Sequence, residues 1–309
     1  MEYAHRSIMV SEILEALDVK PDGVYADGTA GGGGHSFAIG SLLGPSGTLI
    51  CNDRDADALA ACRERLKDLN CNLRLIQGTF SDLAENAGVT FDGVLLDLGV
   101  SSYQLDCAER GFSYMQDAPL DMRMNQGDKL TAKIIVNEWS ETELARIFFE
   151  YGEERYSRRV ASAIVRERQR RPIETTLELV QIIRNALPPQ ALKEKQHPAK
   201  RVFQAIRIAV NDELEQVRIA LDHLVESMND GGRIAVLTFH SLEDRIVKSA
   251  FARYERPCTC PPDFPICVCG KKSLGKVLVK GIAPTAEEIA ENPRARSTRL
   301  RVFERRIES

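Results

Sequence analysis

A run of four glycines lies within the decapeptide Asp27-Gly28-Thr29-Ala30-Gly31-Gly32-Gly33-Gly34-His35-Ser36. The apolar residues 24–26 before it are typical of the end of a buried strand, and residues 37–43 after it have apolar side chains at helical spacing. This glycine turn (residues 27–36) therefore joins a strand to a helix, which is where a parallel sheet binds ligands at its carboxyl edge. Because glycine has no Cβ, a ligand can lie directly against the backbone here.

The glycine turn does not match a dinucleotide fingerprint, because the third glycine of G-x-G-x-x-G falls on Ser36. Asp27 precedes the glycines, and Asp53 ends the next apolar run at roughly the offset, ~20 residues or slightly more, at which an acid binds a ribose. Acids at both places suit a ligand with an amino group and a ribose but no phosphate. The pattern favours S-adenosylmethionine over NAD, and an ordinary glycine-rich loop of an α/β protein is the alternative.

The composition limits the class of protein. The 309 residues are 43% hydrophobic, enough for one large core or two smaller ones, and carry 41 Lys+Arg against 45 Asp+Glu. A net charge of -4 gives no global attraction to nucleic acid, so any RNA contact must come from local basic patches. The N-terminus lacks the apolar core of a signal peptide, and no apolar run approaches ~18 residues. We therefore expect a cytoplasmic protein that is neither exported nor membrane-spanning. Its oligomeric state stays open, with a homodimer as one alternative.

Strand and helix patterns predict an α/β fold with a helical insertion. Apolar runs at residues 24–26, 48–52, 73–76 and 91–99 alternate with helical patterns at roughly 25-residue intervals, which is typical of a doubly wound parallel sheet. Residues 107–202 then contain helical patterns and no apolar strand, which indicates an inserted helical domain, with residues 1–106 and 203–309 forming the sheet domain. We expect one long helix over 203–228, a turn at Gly231-Gly232 into a fifth strand over 233–240, and an antiparallel edge formed by 276–280 and 297–306.

Four successive strands of this predicted sheet end in residues that suit a nucleoside ligand. They are the glycine turn with His35, Asp53, Phe80 and Asp97. Because the ends of parallel strands converge, these positions are expected to line one cleft. For a sulfonium cofactor, the glycine amides and His35 would border the methionine part, Asp53 would accept the ribose hydroxyls, Phe80 would cover the adenine, and Asp97 would lie near the methyl group. Each acid taken singly could also be an ordinary capping or surface carboxylate.

Asp97 also begins a stretch that suits methyl transfer to an exocyclic amine. The lone pair of such an amine is delocalised into the base, so a carboxylate that accepts the amine hydrogens makes the nitrogen a better nucleophile. The Asp/Asn-Pro-Pro-aromatic motif usual in amino-methyltransferases is absent. The stacking partner of a base would have to be Tyr103, Phe112 or Tyr114, each of which could equally be a packing residue.

Candidate RNA contacts lie in a polar stretch and in three arginine clusters. The stretch 106–124 is rich in polar and aromatic groups, and its most prominent charges, Asp121 and Arg123, could bind substrate or form a salt bridge. Arginines are concentrated at 155–171, which includes Arg158 and Arg159, and at 294–306, which includes Arg296, with further cations at 193–201. Concentrated arginines are typical of phosphate binding, although exposed helix arginines are often only solvated.

Two further motifs remain. Cys258, Cys260, Cys267 and Cys269 form two C-x-C pairs around a proline-rich segment, which is the right number of thiols for a structural zinc site but a tighter spacing than the usual C-x₂₋₄-C. Reduced thiols and disulfides are the alternatives. His240 follows the fifth strand and could act as an acid or base, or could cap the next helix.

The chain resembles, essentially from end to end, the bacterial 16S ribosomal RNA (cytosine-N4)-methyltransferase family, formerly called MraW. The matching stretches are Asp27–His35, Asp53–Asp55, Leu95–Ser102, Glu109–Ser113, Pro119–Met124, Tyr151–Glu154, Phe239–Arg245 and Asn292–Ser297. The resemblance implies a class I (Rossmann-like) methyltransferase sheet with an inserted all-helical domain, and methylation of one cytosine in the decoding centre of the small ribosomal subunit. The cofactor contacts that it implies are Gly33, Gly34, His35, Asp53, Phe80, Asp97 and Gln104.

The sequence thus predicts an S-adenosylmethionine-dependent enzyme that methylates the N4 amine of a cytosine in 16S rRNA. The alternatives are a methyltransferase that acts on another RNA or a small molecule, and a non-catalytic ribosome-binding factor.

Overall fold

A computed structural model describes residues 7–261, 266 and 268–307 of the chain. The strands are β1 (Val24–Asp27), β2 (Thr48–Asp53), β3 (Asn72–Gln77), β4 (Phe91–Asp97), β5 (Met228–Thr238), β6 (Gly275–Ile282) and β7 (Arg299–Arg305). The helices up to the insertion are α1 (Val10–Leu17), α2 (Gly34–Gly40), α3 (Ala56–Leu66) and α4 (Leu83–Ala87). Those that follow are α5 (Ser102–Asp106), α6 (Ala132–Glu138), α7 (Glu141–Glu150), α8 (Ser157–Arg168), α9 (Thr176–Ala186), α10 (Lys200–Asn211), α11 (Glu213–Glu226), α12 (Ser241–Glu255) and α13 (Ala286–Glu291).

The strands form one sheet in the order β3-β2-β1-β4-β5-β7-β6. β1 to β5 run parallel to one another, whereas β7 runs antiparallel to both β5 and β6. The strand order reverses at β1 and β4, which is the position where doubly wound sheets bind ligands. The predicted α/β fold and its antiparallel edge are confirmed.

The central strands are buried on both faces. Along β4, Val94 and Leu96 pack in one apolar core, while Leu95 packs in the core on the opposite face. Ile234 and Leu237 of β5 divide between the same two cores. A strand buried in this way needs apolar residues at every position, which is why β4 and β5 read as continuous apolar runs.

The chain divides into two compact units, one formed by Met1–Gly99 with Leu214–Ser309 and the other by Val100–Glu213. The first holds the sheet; the second is helical and has its own core, which includes Ile135, Phe148 and Phe203. The units meet in sequence at 99/100 and 213/214, whereas the boundaries predicted from the sequence are 106/107 and 202/203. α10 accounts for the second difference, because its apolar face packs in the core of the helical unit.

Two elements differ from the sequence predictions. The single helix expected over 203–228 is two helices, because Asp212 adopts a left-handed conformation (φ 52°) that ends α10. The turn expected at Gly231-Gly232 lies inside β5, where the register with β4 shifts between Phe91 and Gly93. Glycine suits this irregularity because Gly231 has φ 77° and a Cβ on Gly232 would lie 2.8 Å from the Phe91 carbonyl oxygen.

No helix within the described ranges combines the length and apolar character that crossing a bilayer requires.

Candidate cofactor and substrate site

The glycine turn needs glycine at two positions because of its backbone. Gly31 and Gly33 have φ angles of 50° and 77°, a region that side chains disfavour. A Cβ on Gly33 would also lie 3.3 Å from the Cα of Cys62 in α3. Gly32 differs, since a Cβ there would meet no atom within 4 Å. The turn therefore packs tightly on α3 while leaving open space beside Gly32.

Asp27 holds the glycine turn together from inside. Its carboxylate is buried and accepts hydrogen bonds from the Ser36 hydroxyl at 2.6 Å and from the Thr29 amide at 3.2 Å. Burial raises the pKa of this carboxyl group, although the Ser36 hydrogen bond opposes the shift. Both oxygens of Asp27 thus have partners within the protein, so its role here is structural.

Asp53 joins the end of β2 to the glycine turn. Its Oδ2 accepts a hydrogen bond from the Gly31 amide at 2.8 Å, and its Oδ1 accepts one from the Asp55 amide at 2.9 Å. Burial raises the pKa of Asp53 to about 6, against the opposing effect of these hydrogen bonds. A carboxylate oxygen has two lone pairs, so each oxygen keeps the capacity to accept one more hydrogen bond.

Asn52 is a positioning residue that the sequence reasoning missed. Its buried side-chain amide donates hydrogen bonds to the carbonyl oxygens of Gly28 at 3.0 Å and Gly78 at 3.1 Å. Asn52 therefore ties the ends of β1, β2 and β3 to one another. The signal in the sequence is a polar residue directly after the apolar run of β2, in a strand that is otherwise buried.

His35 and Asp97 bring the glycine turn and the end of β4 together. His35 Nε2 lies 3.5 Å from Asp97 Oδ2, and the Asp97 amide donates a hydrogen bond of 2.6 Å to the Thr29 hydroxyl. Burial by itself lowers the pKa of His35, but the nearby carboxylates of Asp97, Asp27 and Glu288 outweigh burial and raise it. Beyond that contact, Nδ1 of His35 and Oδ1 of Asp97 are buried without a hydrogen bond to any described residue. Buried polar atoms without partners are rare in native proteins and call for an explanation.

Phe80 completes the set of strand ends. It opens a short 3-10 helix (Phe80–Asp82) after β3, and its Cβ would lie 3.4 Å from a Cβ on Gly28. Its ring is half-buried against the core beneath the sheet. The structure thus brings the glycine turn, Asp53, Phe80 and Asp97 together at one edge.

These residues fit S-adenosylmethionine. The unpartnered atoms of His35 and Asp97 offer hydrogen-bonding capacity to a polar ligand, the space beside Gly32 admits it, and Asp53 retains acceptor capacity for a ribose. Phe80 supplies an apolar surface next to the turn. Donors, acceptors and an apolar face are what a nucleoside-containing cofactor requires.

The remaining predicted residues of the sheet unit have partly structural roles. His240 caps α12, since its Nδ1 accepts a hydrogen bond from the Glu243 amide at 3.5 Å, and its Nε2 lies 3.0 Å from the Glu243 carboxylate. Arg296 is exposed in a 3-10 helix (Pro293–Ser297). Cys258, Cys260 and Cys269 lie together, whereas Cys267 lies outside the described residues.

In the helical unit, two aromatic candidates are committed to packing. Phe112 is only 5% exposed within the core, so its ring has no open face for a base. Tyr114 stacks on His197 with ring centroids 4.6 Å apart and also meets the edge of Phe203. Gln104 is buried, and its Oε1 accepts a hydrogen bond of 3.2 Å from the Ser101 amide in a capping box at α5.

Asp121 and Arg123 form a salt bridge, which is one of the two alternatives that the sequence left open for them. The guanidinium donates to both carboxylate oxygens, at 2.9 and 2.7 Å, and to the carbonyl oxygens of Gln126 and Asp128. The pKa of Asp121 is lowered because the Arg123 hydrogen bonds and charge outweigh burial. The pair stabilises its own loop.

The arginines of the helical unit divide into two groups. Arg170 and Arg171 form ion pairs with Glu167 and Glu178. Arg158 and Arg159, at the start of α8, are exposed, and neither forms an ion pair with a residue that the structure describes. This second group has its charge available for an external anion.

Comparison with known proteins identifies relatives of the whole chain. A family model described as "MraW methylase family" matches residues 2–306. A protein named "Ribosomal RNA small subunit methyltransferase H" from Lachnospira eligens is 49% identical over 99% of this chain and 98% of its own length. A protein of the same name from Clostridium botulinum strain Loch Maree is 52% identical, with 98% and 99% covered. A crystal structure described as an rRNA methylase from Streptococcus thermophilus aligns over 99% of this chain and 100% of that chain, with 11% identity and a TM-score of 0.44.

Proposed function

The chain belongs to the MraW methylase family, and we propose that it transfers a methyl group from S-adenosylmethionine to the N4 amine of one cytosine in 16S rRNA. Relatives that are about half identical over nearly the full chain carry the name of a small-subunit rRNA methyltransferase. The proposal includes the small ribosomal subunit or its precursor as partner and, because that substrate is assembled there, the cytoplasm as location.

One observation carries the assignment of the catalytic centre: Nδ1 of His35 and Oδ1 of Asp97 are buried polar atoms without hydrogen bonds beside an open glycine turn. Leaving such atoms unpaired costs free energy, on the order of 1–3 kcal/mol each, unless a ligand pairs with them. A cofactor with an amino-acid part and a ribose, together with an amine from the substrate, would satisfy them.

When bound, S-adenosylmethionine supplies a sulfonium methyl group that a nitrogen lone pair can attack. The residues at the strand ends would orient that attack. The backbone of the glycine turn and His35 would border the amino-acid part, Asp53 would accept the ribose hydroxyls, and Phe80 would cover the adenine.

Asp97 would act on the substrate. Its Oδ1 would accept a hydrogen bond from the cytosine amine, which returns electron density to the nitrogen and fixes its direction. His35 would hold the carboxylate through Oδ2, 3.5 Å from its Nε2. The helical unit would recognise the RNA, with Arg158 and Arg159 as phosphate contacts; in the sheet unit, Arg296 would serve in the same way.

The test is methyl transfer from labelled S-adenosylmethionine to small subunits from cells that lack this protein, followed by mass mapping of the modified nucleotide. We expect one N4-methylated cytosine. Asp97→Asn should lower the rate by roughly 10²–10³-fold, the usual effect of removing a group that stabilises developing charge. Measuring cofactor affinity of the same variant separates a chemical defect from a binding defect.

Three results would contradict the proposal. If 16S rRNA stayed unlabelled although the protein bound the cofactor, 16S rRNA would not be the substrate. Thermal stabilisation by NAD and not by S-adenosylmethionine would indicate a dehydrogenase. Full activity of Asp97→Asn would remove the assigned role of that carboxylate.

A further inference from the structure

Three cysteine side chains meet in the connection between α12 and β6. The Sγ atoms of Cys258, Cys260 and Cys269 lie within 4.8 Å of one another, although Cys258 and Cys269 belong to different C-x-C pairs of the sequence. In a tetrahedral thiolate site with Zn–S distances of about 2.3 Å, neighbouring sulfur atoms are about 3.8 Å apart. The described cluster has the size of such a site.

The backbone around the cluster also suits a metal-bound thiolate. The Val268 amide donates a hydrogen bond to the Sγ of Cys260 at 3.3 Å. A hydrogen bond of this kind stabilises negative charge on sulfur, which is the form that binds metal. Directly after Cys269, Gly270 has φ 64°, so the chain can turn sharply away from the cluster.

Little else orders this connection. Its described residues between Glu255 and Gly275 form no helix or strand. Ile266 and Val268 are 74% and 73% exposed, so these two apolar side chains do not pack in a core. A segment without a core of its own commonly depends on a metal or on disulfides for its structure.

We propose that Cys258, Cys260 and Cys269 are ligands of a structural Zn²⁺ ion. The sequence supplies a fourth thiol in the second C-x-C pair, at Cys267. With that thiol as the fourth ligand, a tetrahedral zinc site would leave no position for a substrate or an activated water, which is the arrangement of a structural site.

The place of the site in the sheet unit agrees with a structural role. α12 begins beside the carboxyl end of β5, where His240 caps it, and therefore ends at the opposite edge of the sheet. β6 likewise begins at that opposite edge, where Gly275 pairs with Arg305. The zinc site thus lies away from the strand ends that carry Asp53 and Asp97, and it is independent of the proposed methyl transfer.

The test is metal analysis of the full-length protein, purified under reducing conditions without chelators or a metal-affinity step. We expect one zinc per chain that survives dialysis. The triple variant Cys258→Ser/Cys260→Ser/Cys269→Ser should lose it. A matched control, Cys71→Ser/Cys107→Ser, removes two partly exposed thiols elsewhere and should retain it.

Cobalt substitution of the wild-type protein gives a readout that does not require the variants to fold. We expect thiolate-to-cobalt charge transfer and the visible bands of a tetrahedral ion. Cys267→Ser should weaken both if its thiol is the fourth ligand, and an unchanged spectrum would assign that position to another group.

Several outcomes would overturn the proposal: a zinc-free protein after incubation with zinc, iron in place of zinc, disulfides among these cysteines in the freshly reduced protein, or zinc retained by the triple variant. Methyl transfer provides an independent check. The folded triple variant should keep its activity while trypsin cleaves it faster at Lys271 and Lys272. If the variant lost methyl transfer while the segment stayed as resistant to trypsin as in the wild type, a purely structural role would be contradicted.

Discussion

Asp53 holds the end of β2 against the glycine turn, and its environment makes it sensitive to pH near neutrality. Burial raises its pKa from 3.8 to about 6. Because the folded-state pKa is raised, the group contributes stability below its unfolded pKa and loses that contribution as the pH rises through about 6. Cofactor binding should follow the opposite trend, since the ionised carboxylate is the better acceptor for ribose hydroxyls.

We therefore expect the affinity for S-adenosylhomocysteine to fall as the pH is lowered through about 6. Asp53→Asn should bind more weakly at neutral pH and lack this pH dependence. Calorimetric titration of both proteins across this range measures the effect. If the affinity of Asp53→Asn falls with decreasing pH in the same way as that of the wild type, another group is responsible for the titration. His35 is the first candidate.

Gly32 differs from its neighbours because a methyl group there meets no protein atom. Gly32→Ala should leave the melting temperature unchanged and weaken cofactor binding by roughly tenfold, or ~1.4 kcal/mol, because the methyl group occupies space that the ligand needs. Gly44→Ala is a matched control, since a Cβ there makes an ordinary contact of 3.5 Å with the Pro21 carbonyl oxygen. Equal affinities of the two variants would place the ligand elsewhere.

At the scale of elements, the break between α10 and α11 is fixed by a buried ion pair as well as by Asp212. The Arg207 guanidinium donates two hydrogen bonds of 2.8 Å to the two oxygens of Glu213. These side chains are only 17% and 8% exposed, so removing one partner leaves the other charge buried. Glu215 of the same helix pairs with Arg218, but those side chains are 52–53% exposed.

The two pairs should therefore differ in energy. Glu213→Ala should lower the free energy of unfolding by roughly 3–5 kcal/mol, the usual result of breaking a buried ion pair, because the Arg207 guanidinium loses both of these hydrogen bonds. Glu215→Ala should change it by less than about 1 kcal/mol, because water already screens that pair. Denaturant unfolding of the two variants measures the difference. Similar losses of unfolding free energy in both variants would mean that the greater burial of the Arg207–Glu213 pair does not make it more stabilising.

For the whole molecule, the net charge of -4 makes the placement of arginine more important than its number. Arg158→Ala/Arg159→Ala should weaken binding to 16S rRNA and reduce the slope of log affinity against log salt by roughly 1.4–1.8, the value for two lost phosphate contacts. Cofactor affinity should not change. Filter binding at several salt concentrations measures the slope.

Arg170→Ala/Arg171→Ala is the matched control, because those guanidinium groups already pair with Glu167 and Glu178. The control should affect the slope much less. If the two double variants behave alike, the basic surface acts through its total charge, and the specific contacts of Arg158 and Arg159 are excluded.

The sequence by itself determined the sheet, its helical insertion and the strand ends that carry polar residues. Each of these follows from local order: continuous apolar runs mark strands buried on both faces, apolar residues at helical spacing mark helices, and strand direction sends Asp53 and Asp97 to one edge. The antiparallel pairing of β6 and β7 was also predicted from local order, because apolar and polar residues alternate along both segments.

Only the tertiary structure decided which side chains have partners within the protein and which are available to a ligand. Helical periodicity continues past residue 212, and the left-handed Asp212 and the Arg207–Glu213 pair interrupt it through packing and charge. The sequence left open whether Phe112 packs or stacks on a base, and the structure places it in the helical core. Asn52 has the sequence pattern of an ordinary polar residue, but its side chain joins three strand ends. These properties depend on distances between residues remote in the chain, which only the packed structure sets.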